Sequence, residues 1–189
     1  MRVPLKGCLR MLHQQIADAL ARAWMPNDWF ALDARSLRHY QHKADAVAAI
    51  QPKTGIEIGT RCGYSLLAFH VASPGTRWLC VDGWLDADSP QCMDHWQRIV
   101  AEWRINAQLL RADTRGVTEL PPADFAHVDG DHSYAGALAD LHLVADVPAI
   151  LADDCDNASV RRAVEDFCAS RNRRATFTDD GLRQSALIL

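Results

Sequence analysis

Apolar positions recur along the chain with two periods, and the switch between them lays out the elements. Residues 11–24 and 37–50 carry apolar side chains at helical spacing, with Val47, Ile50 and the alanines between them in the second stretch and Pro26 and Pro52 as stops. Two leading helices are predicted. Short apolar runs follow at residues 55–58, 78–81, 108–110, 125–128 and 149–151, each closed by acidic or small residues, and helix-like stretches lie between them at 64–72, 93–103, 135–145 and 158–171. This alternation predicts right-handed crossover units building a parallel sheet covered on both faces. Residues 175–178, the turn Asp179-Asp180-Gly181 and residues 185–189 change character and predict a terminal antiparallel hairpin.

Composition narrows the class. A chain of 189 residues with 49% hydrophobic and 23% charged residues fits a single domain, residues 1–51 supplying the leading helices and residues 52–189 an α/β core. A formal charge of −4 gives no general field for a phosphate backbone, although Arg161, Arg162, Arg171, Arg173 and Arg174 form a local basic group. A small-molecule partner is expected in preference to nucleic acid. Six cysteines without a C-x-x-C pair do not suggest a disulfide scaffold, and a reducing compartment fits them best. Lys6, Arg10, Asp18 and Arg22 interrupt the first helix, and no segment reaches the roughly 18 apolar residues of a membrane span. A cytoplasmic protein without a membrane partner is the expectation.

In open parallel sheets ligands bind beyond the carboxyl ends of the strands. Here those ends are acidic: Glu57, Asp82, Asp113, Asp129 with Asp131, and Asp153 with Asp154. Converging carboxylates repel and need a cation or hydrogen-bond donors to persist. The plainer alternative is that each caps the helix after it, but caps need not recur at every strand end.

The first strand leads into Glu57-Ile58-Gly59-Thr60-Arg61-Cys62-Gly63. Glycines at 59 and 63 let the backbone turn tightly and approach a ligand, and the following helix start offers free N–H groups. Neither G-x-G-x-x-G nor G-x-x-x-x-G-K-[ST] is present, which argues against a dinucleotide dehydrogenase and a P-loop enzyme. The segment resembles motif I of class I S-adenosylmethionine (SAM)-dependent methyltransferases, E/D-x-G-x-x-x-G. The resemblance implies a Rossmann-like, doubly wound, seven-stranded sheet, mostly parallel with a C-terminal antiparallel hairpin. It further implies that Glu57, Gly59 and Gly63 bind SAM or its demethylated product (SAH), that Asp82 holds the ribose hydroxyls, and that Asp113 lies near the adenine amino group.

Phe125-Ala126-His127-Val128-Asp129-Gly130-Asp131-His132-Ser133-Tyr134, with Asp140 in the next helix, is the most distinctive stretch. It resembles the F-I-D-G-D-H-S-Y signature of a methyltransferase subfamily that includes macrolide-sugar O-methyltransferases, distantly similar to catechol and caffeoyl-CoA O-methyltransferases. With Ile150-Leu151-Ala152-Asp153-Asp154, the resemblance runs from about Gly55 to Asp154. It implies a divalent cation, Mg²⁺ in the first place, on Asp129, Asp153 and Asp154, with His132 as the base. A hard cation on carboxylates lowers a hydroxyl's pKa, and a histidine near its ordinary 6.5 takes the proton at neutral pH. His127, inside a strand, reads as structural.

Asp146-Val147-Pro148 stands where the subfamily often has paired glycines, so that loop must be held differently. No inserted cap domain is available, so acceptor selectivity falls to the leading helices and residues 83–103, where Trp84, Trp96 and Trp103 wall a pocket or fill the core. An apolar face on residues 11–24 would need cover, and small relatives resemble dimeric proteins, which makes a homodimer an expectation. The leading reading is a metal-assisted O-methyltransferase acting on a small-molecule hydroxyl. Two alternatives stay open: a metal-independent N- or C-methyltransferase, and a catalytically silent SAM-binding or interaction module.

Overall fold

The leading periodicities become α1 (Lys6–Ala23) and α2 (Ala34–Ile50) in a computed structural model that describes residues 6–25, 31–84 and 89–189. Pro26 lies outside the described residues. Helix α2 starts on a capping box: the Asp33 carboxylate accepts from the Arg35 and Ser36 N–H groups, and the Ser36 hydroxyl accepts from the Asp33 N–H. It stops at Gln51, which takes the left-handed conformation just before Pro52.

The apolar runs become five parallel strands, β1 (Thr54–Ile58), β2 (Arg77–Asp82), β3 (Ala107–Arg111), β4 (Phe125–Val128) and β5 (Ile150–Ala152). The terminal hairpin is β6 (Ala175–Asp179) and β7 (Gln184–Ile188), giving a seven-stranded sheet in the order β3-β2-β1-β4-β5-β7-β6. Strand β7 inserts between β5 and β6 and pairs antiparallel to both. This is the Rossmann-like, mostly parallel architecture with an antiparallel end. Strands β1, β4 and β5 are buried almost throughout, because helices cover both faces of the sheet, and a run buried on both sides needs no polar alternation.

One layer packs Ile16, Leu20, Val47, Leu67 and Phe69 from α1, α2 and α3 (Tyr64–Ala72), with Trp96 and Ile99 from α4 (Ser89–Glu102). The other packs Leu141 from α5 (Tyr134–Leu143) and Val164 and Phe167 from α6 (Ala158–Arg171). The α1 face that suggested a dimer is therefore covered within the chain, where Ile16 and Leu20 are fully buried beside α3. Met11 is the large apolar side chain that α1 leaves exposed among the described residues.

The loop lacking glycines is pinned by Arg173, whose guanidinium donates to the carbonyls of Val147 at 2.8 Å, Pro148 at 2.7 Å and Ile188 at 3.2 Å. One side chain thus ties the approach to β5 to the last strand. Arg173→Ala is expected to cost about 1.5 to 3 kcal/mol, the scale of hydrogen bonds to a charged group, read as a lower urea midpoint at unchanged slope. An unchanged midpoint would show that the guanidinium does not hold the loop.

Candidate active site

After β1 the backbone turns through Gly59, at φ +81°, and its N–H donates to the Val81 carbonyl at 2.9 Å. A Cβ at Gly59 would lie 1.9 Å from the Asp129 carbonyl oxygen, so the turn passes against the end of β4 where only glycine fits. Gly63, at φ +84°, opens α3. Beneath this loop runs a buried chain of hydrogen bonds. Trp96 Nε1 donates to Thr60 Oγ1 at 2.9 Å, the Thr60 hydroxyl donates to Glu57 at 2.5 Å, and the other Glu57 oxygen meets His127 Nδ1 at 3.2 Å. Glu57 is fully buried beneath the loop and braces it through Thr60 and His127. The other ring nitrogen of His127, Nε2, is buried 4.0 Å from Asp129 Oδ2.

The loop opens into a cavity of about 580 Å³ that gathers most of the expected residues. Gly59, Gly63, Asp82 and Asp113 line it, together with Asp129, His132, Asp153 and Asp154. Asp82 accepts from the backbone N–H groups of Arg61 and Trp84, each at 2.7 Å, which locks the β2 end to the glycine loop. Asp113 caps the single 3-10 turn Thr114–Gly116 and pairs with Arg115, whose hydrogen bonds hold its carboxyl below the usual range. Of the three tryptophans expected in this region, Trp84 lines the cavity, whereas Trp96 and Trp103 pack in the core. Trp24 and Tyr40 line it from the leading helices, the Trp24 ring stacked on Tyr64 at 4.1 Å between centroids. Residues 85–88 lie outside the described residues.

Motif reading missed three basic groups that meet the acidic residues of the cavity. Lys43 of α2 is buried to 2% exposure, contacts Asp153 Oδ2, and donates to Asp129 Oδ2 and Ser65 Oγ at 3.2 Å each. His39, one turn earlier, puts Nε2 3.1 Å from Asp153 Oδ2 and Nδ1 2.8 Å from Asp180 Oδ2. Arg183, from the hairpin turn, sits 3.2 Å from Asp154 Oδ1. A signal for two of them exists in the sequence: Ser36, His39, Lys43 and Val47 share the buried face of α2, and three polar residues on a core-facing stripe call for partners. Arg183 lies in a turn and carries no such signal.

His132 Nε2 lies 3.1 Å from Asp154 Oδ2 and 3.5 Å from Asp129 Oδ1. Its bond to Asp129 raises its pKa above the ordinary value against partial burial. Burial alone would push the Asp153 carboxyl up, yet Lys43 and His39 hold it well below the usual range. Asp154 is raised, by burial and by the charges of Asp129 and Asp153.

Cys62 of the glycine loop and Cys92 of α4 lie side by side, with Cα atoms 4.3 Å apart.

Residues 56–155 match a methyltransferase-domain family profile. No curated protein sequence matches the chain. Solved structures similar to it include an O-methyltransferase from Bacillus cereus in complex with SAH, at 16% identity and a TM-score of 0.64, covering 98% of this chain and 91% of that one. An O-methyltransferase of tomaymycin synthesis from Streptomyces achromogenes, in complex with SAM, is similar at 14% identity and a TM-score of 0.62, over 94% and 88% of the two chains. A protein described as a caffeoyl-CoA O-methyltransferase from Staphylococcus aureus is similar at 13% identity and a TM-score of 0.68, over 97% and 98%. At these identities the likeness is one of fold.

The His39–Asp180 contact anchors the hairpin turn to α2 and has a pH signature. Burial raises the Asp180 carboxyl, but His39 and the backbone N–H groups of Leu182 and Arg183 outweigh it and bring the pKa down to about 2. A depressed pKa adds stability above the unfolded value, near 3.9, that is lost as pH falls through the folded value. Asp180→Asn should therefore be less stable than the parent at pH 6, with the gap closing between about pH 4 and pH 2. A gap that stays constant in acid denaturation would refute the linkage.

Proposed function

This chain belongs to the methyltransferase-domain family, and on that premise we propose that it binds SAM in the glycine-loop half of the cavity and transfers the methyl group to a hydroxyl oxygen of a small molecule in the other half. The observation that carries this reading is the sharing of one cavity by the Gly59–Gly63 turn with Asp82 and by the Asp129–His132 pair. The residues fit the cofactor: the backbone at Gly59 closes on β4 with no room for a side chain, and Asp82 offers a carboxylate to a ribose at the second strand end. A volume of about 580 Å³ falls within the range of small-molecule sites, about 300 to 1,000 Å³.

When bound, SAM supplies an electrophilic methyl carbon on a sulfonium, a displacement that needs positioning and a deprotonated acceptor. His132 is the group to take that proton. Donation of Nε2–H to Asp154 fixes the tautomer and leaves Nδ1 as the basic atom, and Asp129 beside it stabilises the imidazolium once formed. Trp24, Tyr40 and Trp84 give the acceptor an aromatic wall. A silent binding module would need no histidine held between two carboxylates, which favours the enzyme.

A divalent cation shared by Asp129, Asp153 and Asp154 does not fit these side chains as they stand. Asp153 accepts from Ser185 on Oδ1 and meets both Lys43 and His39 on Oδ2, so its oxygens are already committed. No step of the mechanism runs through such an ion.

Asp82→Ala should weaken SAM and SAH binding by about 1.5 to 3 kcal/mol, roughly tenfold to a hundredfold, in titration calorimetry. Full affinity in that variant would remove Asp82 from the site, and failure of the parent to bind either ligand would remove the function. His132→Ala should cut turnover by about 10² to 10⁴-fold at nearly unchanged cofactor affinity. Because the His132 pKa is raised, the base is disarmed below that value, and kcat should climb with pH along a limb lying above pH 6.5. That limb should vanish from the variant's residual rate.

A further inference from the structure

Asp129 and Asp153 stand at adjacent strand ends with side chains 23% and 2% exposed, and two carboxylates placed so close require a positive charge between them. The charge present is the chain's own. Lys43 has three N–H donors, and three oxygens surround its ammonium: Asp129 Oδ2, Asp153 Oδ2 and Ser65 Oγ. We propose that Lys43 is a built-in cation standing where Asp129 and Asp153 would otherwise hold a divalent ion, and that it positions Asp129 to orient His132, so that methyl transfer needs no metal. This rests on the methyltransferase reading for its chemistry, but the cation site itself does not.

Three observations carry the inference. Lys43 is buried to 2% exposure with its donors committed to Asp129, Asp153 and Ser65, so a cation taking its place would leave a buried ammonium without partners. The acids around the site are also met by the chain's own basic groups: Lys43 contacts Asp129 and Asp153, His39 contacts Asp153 and Asp180, and Arg183 lies 3.2 Å from Asp154. Finally, Asp129, His132 and Asp154 bring ligand atoms within 4.8 Å of one another, but Lys43 holds the other oxygen of Asp129 and Arg183 the other oxygen of Asp154. An ion there would sit beside two fixed positive charges.

The arrangement makes Lys43 a positioning residue. Its donors are spent on Asp129, Asp153 and Ser65, and Asp129 passes the constraint to His132 through its second oxygen. Removing the ammonium should open a latent oxygen site for a hard cation.

The test uses the full chain and Mn²⁺ as a paramagnetic probe. The wild type should leave the Mn²⁺ resonance spectrum that of the free ion at millimolar metal, and its turnover should persist in EDTA. Lys43→Met should bind Mn²⁺ at least about tenfold more tightly than the wild type, lose turnover when metal-free, and regain it on adding Mg²⁺ or Mn²⁺. Rescue by a cation is an effect that a purely structural lysine would not produce, and Lys43→Arg should keep metal-free turnover. Wild-type protein that binds Mn²⁺ and stops in EDTA would overturn the proposal, whether or not the methionine variant folds. So would a folded Lys43→Met that gains no Mn²⁺ affinity or turns over normally without metal. Manganese binding to the wild type that disappears in His132→Ala would place an ion on Asp129, His132 and Asp154 instead, and would also overturn it. A wild type that binds no SAM would sink the methyltransferase reading while leaving the Mn²⁺ titrations to decide the cation site.

Discussion

Burying two carboxylates side by side is among the costliest arrangements a fold can contain, and the placement of Lys43 between Asp129 and Asp153 governs what surrounds it. Desolvation pulls the Lys43 pKa down, but the two carboxylates outweigh it and hold the ammonium charged. The ion pair joins α2 to the ends of β4 and β5, and His39 extends the tie to Asp180 in the hairpin turn. The leading helices are thereby fastened over the carboxyl edge of the sheet by charge. Apolar packing against α3 alone would leave their angle over the cavity less constrained, since close-packed apolar contacts tolerate sliding better than paired buried charges do.

The glycine-turn side of the cavity is held by a different device. There the fixed object is a backbone turn, pressed against the Asp129 carbonyl at Gly59 and supported from below by Glu57, Thr60 and Trp96. Asp82 clamps the turn's Arg61 N–H from the side, and Cys62 lies against Cys92 of α4. The two devices meet in β4 and the residues just beyond it: His127 braces Glu57, while Asp129, two residues on, carries Lys43 and His132. One short segment therefore registers the glycine turn against the Asp129–His132 pair.

The fold was readable from the sequence because its information is local. Period-3.6 and short apolar runs placed the strands and α-helices of the described residues though not the 3-10 turn at Thr114–Gly116, and β7 inserting beside β5 is the ordinary way for a terminal hairpin to extend a sheet that has ended. The cavity wall was legible where a motif lies within one strand-to-helix turn: Gly59, Gly63 and His132 all line it. Less was legible where the meaning of a residue depends on what folds against it. Glu57 is a buried brace beneath the turn, and which face of β1 it occupies follows from sheet pairing. Lys43, eighty-six residues from Asp129 in sequence, has no local pattern joining it to that carboxylate.

The acidic strand ends meet a partner that no motif names: the Lys43 ammonium lies between Asp129 and Asp153. Carboxylates converging at strand ends do demand positive charge. What sequence proximity cannot supply is the identity of the charge, because an ammonium on a distant helix and a divalent ion satisfy the same field. They differ in what they leave for chemistry. A divalent ion keeps open coordination positions for an acceptor oxygen, whereas an ammonium with three committed donors keeps none. The acidic side of this cavity is therefore suited to orienting the imidazole that stands between Asp129 and Asp154.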